Sequence, residues 1–140
     1  MPGERHDPSV PMNQLAWNRF PGPYWFHYTN VYASTVIVQE RAYKVGKSTP
    51  HGLYVTDLQP GTLEDKELVR ELFDGEFVIE RVQAAVVLHD DSTLPFERVE
   101  RSAYFYAAAE GKIIDLDGIV VGRAFKKDGL WHYDRALWDF

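Results

Sequence analysis

The chain reads as an α+β protein with mainly antiparallel sheet. Two observations predict this. The second half is a succession of strand-like stretches rich in β-branched and aromatic residues, and both helix-like stretches fall in the first half, which is not the regular alternation of a parallel α/β fold. The size fits one domain: of 140 residues, 45 % are hydrophobic and 14 % aromatic, enough for a core.

Taken in order, residues 1–14 read as a flexible arm punctuated by Pro2, Gly3, Pro8 and Pro11, and residues 15–140 as the single domain. Pro21-Gly22-Pro23 breaks the chain before Tyr24–Thr29, an aromatic-rich strand. Thr29 or Asn30 is placed to cap a helix over Val31–Tyr43. There Val31, Ser34-Thr35, Val38 and Ala42 recur at helical spacing, although the β-branched content leaves a strand open. Gly46–Gly52 reads as a loop, Leu53–Thr56 as a short strand and Gln59-Pro60-Gly61 as a turn. Thr62 then caps the clearest helix, with Asp65 completing an imperfect capping box. Its apolar face is Leu63, Leu68, Val69, Leu72 and Phe73, its charged face reads as solvated, and Asp74-Gly75 ends it. Strands follow at Phe77–Leu88, Ala103–Ala108, Lys112–Ile114, Ile119–Phe125 and Leu130–Tyr133. The Asp128-Gly129 pair supplies a hairpin turn between the last two.

Composition narrows the function classes. The net charge is −6 and the pI about 5.3, so nothing favours a broad basic surface for nucleic acid, although a nucleic acid held in a local groove stays open as a substrate. There is no cysteine, which removes disulfides, thiol nucleophiles and cysteine zinc sites. Met1–Asn13 has no apolar core of a secretory signal, and no run reaches the roughly 18 apolar residues of a membrane span. The expectation is a protein without a membrane partner, working in a cytoplasm.

Two short stretches carry the chemistry: Phe26-His27-Tyr28-Thr29-Asn30 and His51-Gly52-Leu53-Tyr54-Val55-Thr56-Asp57. Each reads as a strand running into a turn. A tyrosine ring and an imidazole on two nearby strands suit a flat, polar ligand such as nicotinamide. Cleaving nicotinamide from ribose builds positive charge on the sugar. An enzyme for that reaction must hold the ring flat, fix the ribose and set a carboxylate beside the developing cation.

Over about residues 24–123 the pattern resembles the ADP-ribosyltransferases, and most closely their small bacterial toxin-type branch with a His-Tyr-Asp signature. The resemblance implies split antiparallel sheets forming a cleft for NAD, which is consumed as substrate. ADP-ribose would pass to an acceptor, either a macromolecule or a small molecule. His27 would contact the adenosine ribose, the Tyr28 backbone the carboxamide, and Tyr54 would stack on nicotinamide, with Thr29 and Gly52 completing the binding motifs. The late carboxylate has no unique match: Glu100 and Asp90 stand level as candidates, with Asp115 and Asp117 behind them. The Glu-x-Glu pair of the arginine-modifying branch is missing.

Other readings compete. His27, His51, His89 and His132 lack the i, i+4 spacing of a helical metal site, so no metal is expected. Gly46-Lys47-Ser48 fails as a phosphate loop because Arg41 stands where the upstream glycine belongs. No serine sits in a Gly-x-Ser-x-Gly elbow. The aromatic end with Trp131, Tyr133, Trp138 and Phe140 reads as packing or as a docking point for a partner. Two alternatives to the enzyme remain: an inactive relative that binds a nucleotide or a protein, and an unrelated interaction protein.

Overall fold

The computed structural model describes residues 24–47, 51–58, 60, 64–73, 79–89, 94–100 and 103–135. The expected arm, Thr62, Leu63, Asp74-Gly75, Asp90 and Trp138–Phe140 lie outside them.

Among the described residues the order is β1 (Tyr24–Thr29), α1 (Val31–Glu40), β2 (Ala42–Lys44), β3 (Gly52–Thr56), α2 (Asp65–Phe73), a 3₁₀ turn (Ile79–Val82), β4 (Ala84–His89), β5 (Glu97–Glu100), β6 (Ala103–Ala107), β7 (Ile113–Asp115), β8 (Val120–Lys127) and β9 (Leu130–Arg135). The α+β layout and the early helices are as expected. Two sheets are present as expected, but they are unequal: one of seven strands, ordered β5-β6-β3-β1-β4-β8-β9, and a two-stranded ribbon, β2-β7. Every strand pair is antiparallel.

Alternation along β1 packs both of its faces. Phe26 and Tyr28 are buried in one core with Leu68 and Val69 of α2, together with Val82, Val87 and Ala124. Trp25 packs on the opposite face, in a second core with Ile37 of α1, Leu53, Val55, Val86, Leu88 and Ile114. A strand with two apolar faces belongs in the middle of a sheet covered on both sides. The neighbouring β4, Ala-Ala-Val-Val-Leu-His, is buried along its first five residues, as a central strand should be. The layers are α2 and the 3₁₀ turn, then the sheet, then α1 with the ribbon.

Local chemistry sets the element ends. The Asn30 carboxamide oxygen accepts from Ala33 N–H at 2.7 Å and caps α1. The hydroxyls of Ser34 and Thr35 both donate to the Val31 carbonyl, anchoring a β-branched helix of low intrinsic propensity. Arg41 takes the left-handed conformation (φ 53°) while its N–H bonds Ile37 O. The helix therefore stops three residues short of the expected Tyr43, and Ala42–Lys44 pairs with β7. On α2, Glu67 Oε1 accepts from Glu64 N–H at 3.3 Å, half of a capping box. Asp65 is not solvated as expected. It holds Lys126 Nζ at 3.0 Å and Gln83 Nε2 at 3.0 Å, tying α2 to β8 and to the entry of β4. The stretch expected as the start of a long strand from Phe77 includes the 3₁₀ turn, and β5 is a strand that the sequence did not announce. The Asp128-Gly129 turn has φ of 55° and 77°, the left-handed pair that Asp-Gly supplies.

Candidate functional site

The central sheet has one open seam. Strand β1 pairs with β4 at six positions, and β3 with β6 at five. Between β1 and β3 a single pair forms, Phe26 with Thr56. A cleft of about 690 Å³ is lined from both strands, within the range of small-molecule sites. Because the strands part, both faces of β1 reach it: Phe26 and Tyr28 from one side, His27 and Thr29 from the other. Helix α1 and strand β2 contribute Tyr32, Glu40 and Tyr43, while Leu72 and Arg81 line it from the α2 side.

His27 stands at the join. Its Nδ1 lies 2.7 Å from the Tyr54 carbonyl oxygen. A carbonyl only accepts, so Nδ1 carries the proton and donates, which leaves Nε2 of the neutral ring as an acceptor. The imidazole also meets the Tyr43 ring edge-on, with centroids 5.0 Å apart and planes at 69°. Burial lowers the His27 pKa below the ordinary 6.5, and the bond to the Tyr54 carbonyl opposes this only in part. Near neutral pH the ring is therefore uncharged. Among the described residues Nε2 has no protein partner, so a ligand hydroxyl could donate to it.

Tyr54 forms the facing wall. Its ring packs on Phe105 of β6, with centroids 4.5 Å apart. Gly52 makes that contact possible: a Cβ there would run into the Tyr106 carbonyl oxygen and the edge of the Phe105 ring. Tyr43 adds a second phenol. Burial pushes its pKa up, and the neighbouring Tyr54 pushes it further in the same direction. Tyr28 divides its roles. Its side chain is core, with the hydroxyl donating to Leu58 O at 2.8 Å and burial raising its pKa strongly. The residue still lines the cleft, as do Thr29 and Gly52.

The five expected binding residues, His27, Tyr28, Thr29, Gly52 and Tyr54, thus come together at one cleft. The carboxylates do not resolve as simply. Glu100 closes β5 and pairs with Ala103, itself a lining residue, but its side chain is outside the description, as is Asp90 altogether. Asp115 accepts from Asp117 N–H at 2.9 Å in a turn, and Asp117 lies 3.5 Å from Arg41. Neither lines the cleft, and nor does the exposed Asp57.

Glu40, Tyr43 and Arg81 are lining residues the sequence did not single out. Tyr43 was hidden because it read as helix, and only the reversal at Arg41 turns it inward. Glu40 sits at an exposed helix end, where a carboxylate looks ordinary. His51, His89 and His132 make contacts away from the cleft. His89 Nε2 lies 2.7 Å from Gly118 O, His132 stacks on Phe125, and His51 lies 3.9 Å from Glu110. Among the described residues no three His, Asp or Glu side chains gather as a metal site would need, and no helix is long and apolar enough to cross a membrane. No family model, curated protein or solved structure matches this chain.

Proposed function

We propose that the chain is an NAD-dependent ADP-ribosyltransferase, and that the open β1–β3 seam is its substrate cleft. The observation that carries this reading is the bond from His27 Nδ1 to the Tyr54 carbonyl. It joins the two sequence motifs across the seam and fixes Nε2 as an acceptor for a ribose hydroxyl. Tyr54 and Tyr43 supply aromatic surfaces for nicotinamide in the same cleft. In the reaction the bond between ribose C1′ and the nicotinamide nitrogen breaks, and its electron pair leaves with nicotinamide. A nucleophilic oxygen or nitrogen of the acceptor then bonds C1′ and gives up its proton. A carboxylate beside the ribose lowers the barrier by stabilising the cationic sugar. Glu100 and Asp90 stand level as the late-strand candidates for that role, and Glu40 is a third candidate by its position on the cleft wall. A role as a toxin or effector domain, with a macromolecular or small-molecule acceptor, follows from the resemblance alone.

The test is nicotinamide release from NAD by the purified protein, beside His27→Ala and Tyr54→Ala variants whose folding is checked by thermal melting. Glu40→Gln, Glu100→Gln and Asp90→Asn then identify the carboxylate by which of them lowers turnover. A second reading draws on one observation: the acidic residue lining the cleft among those described is Glu40, on a helix end, and not a late-strand carboxylate. On that reading the domain binds NAD or ADP-ribose and releases no nicotinamide.

A further inference from the structure

The cleft has two aromatic stations, and one of them has no task in the roles assigned so far. Tyr43 belongs to the enclosed part, edge-on to His27 and beside Tyr54. Tyr32, in the first turn of α1, also lines the cleft yet is 79 % exposed. It has no hydrogen bond or ring contact among the described residues. An exposed aromatic ring on the rim of a cleft offers a flat apolar face to a ligand.

The helix sets the distance between the stations. Tyr32, Val36 and Glu40 follow one another at i, i+4 and i+8, and all three line the cleft. They make one continuous wall along α1, about 12 Å long at 1.5 Å per residue. Glu40 is followed directly by Arg41 and then by β2, which carries Tyr43. The enclosed tyrosine thus belongs to the C-terminal end of the wall and Tyr32 to its N-terminal end. A dinucleotide has the same plan: two flat rings at its ends, joined by a ribose–pyrophosphate–ribose bridge. A ligand with a single ring would leave one station empty.

We infer that Tyr32 is the stacking platform for the adenine ring of the dinucleotide and so selects NAD over its nicotinamide half. The inference rests on the NAD reading above. His27 meets the Tyr43 ring at the inner station, and its Nε2 acceptor would take the adenosine ribose on the way out to Tyr32. Val36 gives the intervening wall an apolar surface. Tyr32 is a specificity residue here. It touches substrate far from the bond that breaks, so its loss should appear in affinity and not in the chemical step.

The experiment is calorimetric titration of the full chain with NAD and, separately, with nicotinamide mononucleotide, for the natural sequence and for Tyr32→Ala and Tyr32→Trp. The exposed position makes both variants safe for folding. Loss of one base–aromatic stack should weaken NAD binding by on the order of tenfold in Tyr32→Ala. Tyr32→Trp should hold or strengthen it, and mononucleotide affinity should not change. Unchanged NAD affinity in Tyr32→Ala would overturn the inference and leave the NAD reading standing. Equal weakening of both ligands would also overturn it, because Tyr32 would then shape the whole cleft and not the adenine end. If the natural chain binds neither ligand, the NAD reading falls and takes the inference with it.

Discussion

Strand β1 has two edges that behave in opposite ways. Against β4 it is laddered at six positions, and the facing residues Ala84 to Leu88 are all buried. Against β3 it is joined at one position, and polar or aromatic residues occupy the gap: His27, Thr29, Tyr43 and Tyr54. The closed edge is made of small and branched aliphatic side chains that pack to interior density. The open edge keeps an imidazole whose remaining nitrogen has no bonding partner among the described residues. One strand is therefore packed into the core on one side and lines the cleft on the other, and substitutions on the two sides should fail differently.

The largest effect belongs to the closed edge. Leu88 is 1 % exposed, and Leu88→Ala should cost about 3 kcal/mol, the usual loss for a buried leucine. Urea unfolding would measure it, and NAD affinity of the folded protein should not move. A loss of affinity there would break the division between the edges. Gly52→Ala comes next and acts on the open edge. Its new methyl group meets the Tyr106 carbonyl and the Phe105 ring, an overpacking worth about 2 kcal/mol. Because Tyr54 packs on Phe105, NAD binding should weaken as well. Tyr28→Phe is smaller. It removes the bond to the Leu58 carbonyl, and about 1 kcal/mol of stability should go with it.

The smallest effect is the pH dependence of His27. Its folded pKa lies below the unfolded 6.5, so between those values the unfolded chain binds more protons. Stability is then full above about pH 6.5 and falls as pH drops through that window. Thermal melts of the natural chain and His27→Gln across pH 5–7.5 should show a shallower slope in the variant. Identical slopes would mean that the imidazole is not desolvated as described.

Much of the site was legible because β-strand periodicity is simple. Gly52-Leu53-Tyr54-Val55-Thr56 and Phe26-His27-Tyr28-Thr29 read as strands, and as strands their motif residues do reach one cleft. The Asp-Gly hairpin was legible for the same reason: local chemistry decides it. The residues that escaped depend on long-range events. Tyr43 enters the cleft only because Arg41 reverses the chain and β7 offers Ala42–Lys44 a partner about 70 residues away. The unequal size of the two sheets depends on β1 pairing on both edges, with β3 and with β4, which is a long-range event. Asp65 read as a solvated helix charge because Lys126 and Gln83, its partners, come from β8 and from just before β4.

Nicotinamide release is the most direct measure of the NAD cleavage proposed for the open edge of β1. Release is expected from the natural chain, with its loss in folded His27→Ala and Tyr54→Ala and its retention in Tyr54→Phe, which keeps the ring. No release with or without added acceptor, or equal release from all four proteins, would contradict it.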